Sequence, residues 1–295
     1  MAATLPLEQG MIVSIRGRVL MGAEVNTSQF LDRRLFKTLS LYLASKASIP
    51  IPDTCLIIDS KSGLVADLFR SWGNAIMVRM DYSSLAGKKF LGGIPALSVE
   101  ALESLCGFLL RNAFFPLLHP HYDRFEDMYS VGILFNTSSD MAHLEVVGRG
   151  FDASDLRLGT AVPHESMEID YLENRISERR RITSALYREE RMRRIERVLQ
   201  YRQYILFANE SGRLITSLKD LDPPQLTVTQ GSVGIPEIYE PIPSHLIREL
   251  REMISVMKYF VIPKLPLAND YSASFSYVPH KGWLLWDIYG SWYNR

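Results

Sequence analysis

Cysteine is nearly missing. Cys55 and Cys106 are the only two in 295 residues and have no metal-ligand spacing, which excludes a disulfide scaffold and makes a reducing interior the expected setting. Net charge is missing as well: 33 lysines and arginines balance 33 aspartates and glutamates, so no overall field draws the chain to nucleic acid or to an anionic membrane. No apolar run approaches the ~20 residues that span a bilayer. Met1 to Glu8 carries neither a basic nor an apolar leader segment, so the cytoplasm is the expected location and no membrane partner is expected. The chain holds no Walker A loop, Gly-x-Ser-x-Gly elbow or Rossmann glycine fingerprint, so none of those mechanisms attaches to it, and no internal repeat is visible.

What is present suits a large globular core. The composition is 47% hydrophobic and 22% charged, and a chain of this size buries about three quarters of its unfolded surface. Ile12 to Leu20 reads as a strand or hairpin, and Leu31, Leu35, Phe36, Leu39 and Leu43 recur at helical spacing until Pro50 and Pro52. Cys55 to Asp59 and Ala75 to Met80 read as strands flanking a short helix near Leu64 to Phe69. Ser98 can cap a helix carrying Leu102, Leu105 and Leu109, and Tyr129 to Phe135 and His143 to Val147 are two further strands. Strands interleaved with helices indicate an α+β or α/β architecture.

From Asp170 to Phe207 the pattern reads as one long helix with ten arginines between Arg175 and Arg202, and Ile176, Ile182, Leu186, Met192, Ile195 and Leu199 forming its apolar stripe. Interspersed Glu178, Glu189, Glu190 and Glu196 make a solvated, salt-bridged face its first reading and a phosphate or RNA surface its second, so nucleic acid is not the favoured partner. Pro223 to Pro243 cannot form one continuous helix or central strand, although Leu226 to Thr229 suits a short strand. Ser244 is a candidate cap for a helix through Met257, and Tyr271 to Val278 with Trp283 to Tyr289 reads as a terminal β-hairpin.

Arg79 stands on an apolar strand, where its charge requires an acidic or phosphate partner, and the strand runs into a loop holding Gly87, Lys88, Lys89, Gly92 and Gly93, which suits a polyanion such as a nucleotide phosphate. Glu145 can accept hydrogen bonds from a ribose or an adenine amine, with exposed backbone beyond it to read adenine edges. His164 is either a hydrogen-bonded loop residue or a substrate or acid–base contact. Asp287, set among aromatics on a strand, needs a compensating partner, either a salt bridge or a Mg²⁺ ion shared with phosphate oxygens. His119-Pro120-His121 reads as an irregular loop without a third ligand, so zinc is not expected there.

The order Ile76-Met77-Val78-Arg79, glycine loop, helix, Leu144-Glu145-Val146-Val147-Gly148 and Leu285-Trp286-Asp287-Ile288-Tyr289 resembles the ATP-grasp fold across Cys55 to Tyr289. The resemblance implies two α+β subdomains enclosing a nucleotide, with ATP and Mg²⁺ as cofactors. It implies segments 1–54, 55–150 with the phosphate loop, and 151–295 with the long helix and the hairpin. By resemblance Arg79 takes the phosphate role, Gly87, Lys88 and Gly92 belong to the mobile loop with Lys88 also catalytic and Lys89 beside it as a nucleotide contact, Glu145 with Val147 lies at the nucleotide hinge, and Asp287 matches the late metal carboxylate, with Asp270 close enough in sequence to be a second ligand. The family's late acidic-x-Asn pattern is replaced by Asp287-Ile288-Tyr289, which leaves Asn294 as a distant substitute. The activity implied is phosphorylation of a small-molecule or peptide carboxylate followed by attack of an amine. The alternative is a catalytically weak nucleotide-binding or protein-interaction protein. A protein partner or homo-oligomer is compatible with either.

Overall fold

The computed structural model describes residues 12–15, 35–57, 64–73, 76–82, 94–96, 98–111, 114–122, 129–148, 153, 156, 162–173, 175–190, 192–193 and 238–290. The chain divides into two compact units, Met1–Tyr42 with Pro52–His121 and Val198–Thr227, and Leu43–Ile51 with Tyr122–Arg197 and Val228–Arg295. Both mix helix with antiparallel sheet, the α+β class expected. Strands on both sides of residue 150 pair into a single sheet.

The first unit holds β1 (Ile12–Ile15), β2 (Thr54–Ile57), β3 (Ile76–Tyr82), β4 (Ile94–Ala96) and β5 (Phe114–Pro120), in the order β1-β2-β5-β3-β4. All neighbours pair antiparallel. On β3 the period-two alternation is plain: Ile76, Val78 and Met80 are buried while Met77 and Arg79 are half-buried. Three helices accompany this sheet in the sequence: α1 (Phe36–Lys46), α2 (Leu64–Trp72) and α3 (Val99–Arg111). Ser98 caps α3, its Oγ accepting from the Ala101 N–H at 3.1 Å. Buried Asp81 accepts from the Thr38 N–H at 2.7 Å and the Thr38 hydroxyl at 2.8 Å, which ties β3 to α1.

Strand β5 corrects the reading of His119-Pro120-His121 as irregular loop. His119 and Pro120 close the strand, and His119 is fully buried with Nδ1 3.0 Å from Thr54 Oγ1.

The second unit is built on a six-stranded antiparallel sheet. Its strands are β6 (Tyr129–Asn136), β7 (Met141–Val147), β8 (Glu165–Asp170), β9 (Arg175–Arg181), β10 (Asp270–Val278) and β11 (Gly282–Gly290), in the order β11-β10-β6-β7-β8-β9. One face is core: Val131, Ile133, Leu144, Val146, Met167, Ile169, Phe275 and Ile288 are each at most 1% exposed. Burying each of these side chains contributes about 1.5–3 kcal/mol. Helix α4 (Ser244–Val256) continues through a π-helical turn (Met257–Val261) and a 3₁₀ turn (Ile262–Lys264). It buries Leu246, Ile247, Leu250 and Ile254, and the Trp283 indole N–H on β11 donates to the Leu246 carbonyl at 3.0 Å. Pro243, not Ser244, is its N-cap. The terminal hairpin forms as expected, turning at Gly282 with φ +80° and carrying a bulge at Ser274/Phe275.

The long helix expected over 170–207 does not form in its first part. Residues Glu165–Asp170 and Arg175–Arg181 are a strand pair, and only 184–190 and 192–193 are helical among the described residues of that stretch. Alternation wins over helical spacing: Glu165, Met167 and Ile169 are buried while Ser166, Glu168 and Asp170 are half-buried. Ile176, Leu186 and Met192, assigned to the apolar stripe, are 39%, 42% and 42% exposed. Residues 194–207 and the strand expected at 226–229 lie outside the described residues.

Candidate functional site

The other face of the six-stranded sheet is polar, and its register fixes which side chains meet. Asp287 on β11 is opposite Ser274 on β10, Ser274 is opposite Gly132 on β6, Gly132 is opposite Glu145 on β7, and Glu145 is opposite Ser166 on β8. Directly paired residues point to the same side, so Asp287 and Glu145 stand on one face and in one transverse row, three strand spacings or about 14–15 Å apart. The parallel row beside it runs Tyr289, Ser272, Leu134, His143, Glu168. Gly132 leaves the centre of the face low, and a Cβ there would come within 3.5 Å of Leu156 Cδ1. Leu134 is 51% exposed, whereas Val147 and Leu284, on the same face by register, are buried.

Asp287 is 2% exposed and its Oδ2 accepts the Tyr289 hydroxyl at 2.8 Å. Glu145 is half-buried, with Oε1 3.6 Å from His143 Nε2. The other ring nitrogen, His143 Nδ1, lies 2.7 Å from Glu168 Oε1. Asp287, Glu145 and Glu168 put three carboxylates on this face, with Arg180 of β9 opposite Ser166 on it as well.

A Mg²⁺ ion takes six oxygens at about 2.0–2.1 Å and uses one or two protein carboxylates beside phosphate and water. Asp287 fits that role as a single carboxylate. Asp270 stands at the exposed start of β10, four residues or about 13 Å from Ser274, and its Oδ1 accepts from Asn136 Nδ2 at 2.9 Å. Among the described residues no group of three or more His, Cys, Asp or Glu side chains is placed to hold a metal.

Glu145 and Asp287 share the polar face, whereas Arg79 is half-buried on β3 of the first unit. Gly87, Lys88, Lys89 and Gly92 lie outside the described residues. Val147 ends β7 with its side chain fully buried, and the backbone around it is already engaged. The His164 N–H donates to the Val146 carbonyl at 2.8 Å, and the Gly148 N–H donates to His164 Nδ1 at 2.6 Å, which corrects the expectation of free backbone there.

His164 itself is fully buried between the Tyr187 and Tyr239 rings, at centroid distances of 4.5 and 5.1 Å. Burial lowers its pKa to about 3. Accepting at Nδ1 makes it the neutral tautomer with its proton on Nε2, so the 3.4 Å approach of Nε2 to Glu190 Oε2 involves an uncharged imidazole. Gly148 is required at this joint, since a Cβ would lie 2.8 Å from the Tyr239 ring.

Sequence reasoning passed over His143, Glu168 and Ser274. The signal for the first two was available: His143-x-Glu145 on a strand puts both side chains on one face, and Glu-Ser-Met-Glu-Ile-Asp alternates as a strand does. The cross-strand pairings were not readable, because register depends on the partner strand.

No family's sequence model matches the chain, and no curated protein does. Among solved structures it is similar to a D-alanine–D-alanine ligase from Coxiella burnetii, at TM-score 0.42 and 11% identity over 91% of this chain and 50% of that one. A D-cycloserine synthetase matches at TM-score 0.40 and 11% identity over 88% and 63%. A carboxyaminoimidazole ribonucleotide synthase from Aspergillus clavatus, complexed with ATP, matches at TM-score 0.41 and 7% identity over 88% and 46%. The chain spans about half to two thirds of the length of these structures. At TM-scores below 0.5 the likeness transfers neither a family nor an activity. No described helix is long and apolar enough to cross a membrane.

Proposed function

We propose that the polar face of the six-stranded sheet binds a nucleotide and that the chain is an ATP-dependent ligase-like enzyme. The observation that carries this reading is the shared row of Glu145 and Asp287, which offers a hydrogen-bond acceptor at one end and a buried carboxylate at the other. Glu145 takes the ribose or adenine amine, Leu134 gives an apolar contact beside it, and Asp287 holds the magnesium that accompanies the phosphates. Arg79, with Lys88, is assigned separately as a phosphate contact by resemblance to the ATP-grasp pattern. His164, neutral and enclosed, enters as the clamp on the end of β7 and not as a proton carrier.

In the reaction so proposed, an oxygen of a small-molecule or peptide carboxylate attacks the terminal phosphorus and ADP leaves. An amine then attacks the acyl carbon and phosphate leaves. One observation favours the weaker form of this reading, binding with little catalysis: the residue facing Asp287 is Ser274, so the metal would have a single protein carboxylate.

Calorimetric titration of ATP with and without Mg²⁺ tests the binding. Wild type should bind in a magnesium-dependent way, and Asp287→Asn and Glu145→Gln should each weaken binding by about tenfold or more, the worth of one hydrogen bond to a charged group. No binding by folded wild type would sink the reading. Binding without carboxylate-dependent ADP release across a panel of amino acids and peptides would favour the catalytically weak form.

A further inference from the structure

We infer that His143 is a positioning residue that controls, through its protonation, whether the Glu145 carboxylate is free to accept a ligand's hydrogen bonds. Glu145's role toward a ligand rests on the nucleotide reading above; the coupling between the two side chains does not. His143 and Glu145 are two residues apart on β7, on the same face, and both are 38% exposed. Glu168 stands directly opposite His143 on β8 and meets Nδ1 at 2.7 Å, which fixes the Nδ1–H tautomer of the neutral ring, because a carboxylate only accepts.

With the proton on Nδ1, the Nε2 lone pair is directed to the side where Glu145 Oε1 lies 3.6 Å away. Two acceptors then face each other, and the Glu145 carboxylate gains nothing from the ring and stays open to hydroxyl or amine donors. When His143 takes a second proton, the same contact becomes an ion pair, and the imidazolium competes with the ligand for Glu145. The remaining neighbours leave this exchange intact. From β6 only Leu134 and Gly132 face the pair, and neither titrates. From β8, besides Glu168, the same face carries Ser166 opposite Glu145 and Asp170, whose Oδ1 accepts from the Leu172 and Glu173 N–H groups at 3.1 and 2.9 Å, and from β9 it carries Arg180 opposite Ser166, a guanidinium whose charge is the same at every pH compared.

Two measurements on the full chain decide the matter. The first is Mg·ATP affinity at pH 5.5, 6.5, 7.5 and 8.5, in the range where histidine changes charge. Wild-type affinity should rise about tenfold across it, the worth of one charged hydrogen bond, whereas His143→Gln should change less than twofold. A His143→Gln profile that follows wild type overturns the inference. The second is the ¹⁵N spectrum of the His143 imidazole at pH 8.5 without ligand, which should show Nδ1–H in wild type and lose that preference in Glu168→Leu, which has no acceptor. An Nε2–H majority in wild type overturns the inference whether or not ATP binds. Absence of ATP binding at every pH, with the expected imidazole spectrum, would sink the nucleotide reading while leaving the His143–Glu145 coupling in place.

Discussion

At the scale of single residues, His164 shows how burial turns a titratable group into a stability term. Its ring is enclosed by Tyr187 and Tyr239 and takes a proton only near pH 3, against an ordinary value of 6.5. Between those values the unfolded chain holds a proton on this histidine that the folded chain lacks, so stability is complete above about pH 6.5 and falls as the pH drops toward 3. The loss from this residue between pH 7.5 and 4.5 should be about 3 kcal/mol. Urea unfolding of wild type and His164→Asn at both pH values measures it. Asparagine keeps an acceptor near the Nδ1 position but cannot titrate, so the variant should be less stable at pH 7.5 and show a smaller difference between the two. An unchanged difference would mean that His164 does not carry the acid sensitivity.

At the scale of elements, Glu165 joins two strands to the segment that leads into α4. It opens β8 with 1% exposure and pairs with Arg179 on β9, while its Oε2 accepts the Tyr239 hydroxyl at 2.9 Å and the Ile242 N–H at 3.2 Å. Arg179 completes the ring by donating to the Ile242 carbonyl at 2.9 Å. Removing the carboxylate leaves a partly buried guanidinium and a buried hydroxyl without it, so Glu165→Ala should cost about 3 kcal/mol in chemical denaturation, and a loss under about 1 kcal/mol would contradict this account. The same pair explains what was legible in the sequence. The terminal hairpin, β3, β6, β7 and the helices starting at 99 and 244 were marked by local alternation, capping and proline. The strands β8 and β9 were not, because arginine and glutamate are good helix formers and their strand state depends on a buried ion pair between them. Glu145 and Asp287 could be picked out as carboxylates in apolar strands, but their common row, and His143 beside it, came from cross-strand pairing that no local pattern encodes.

At the scale of the whole molecule, charge balance governs how copies of the chain repel one another. The 33 basic and 33 acidic side chains cancel at pH 7, so colloidal repulsion is least there. Raising the pH does little to restore it: burial pushes the Cys55 thiol up and the Cys106 thiol up to about 12, and it raises Tyr171, Tyr239 and Tyr271 above their ordinary range. Lowering the pH does more, because histidine is the side chain whose charge changes between about pH 5 and 8, although burial holds His164 out of that change. Solubility should therefore pass through a broad minimum from about pH 7 to 9 and recover toward pH 5.5, above the range in which carboxylates protonate. Polyethylene glycol precipitation midpoints across that range would show it. A minimum below about pH 6 would mean that a surface patch, and not net charge, controls association.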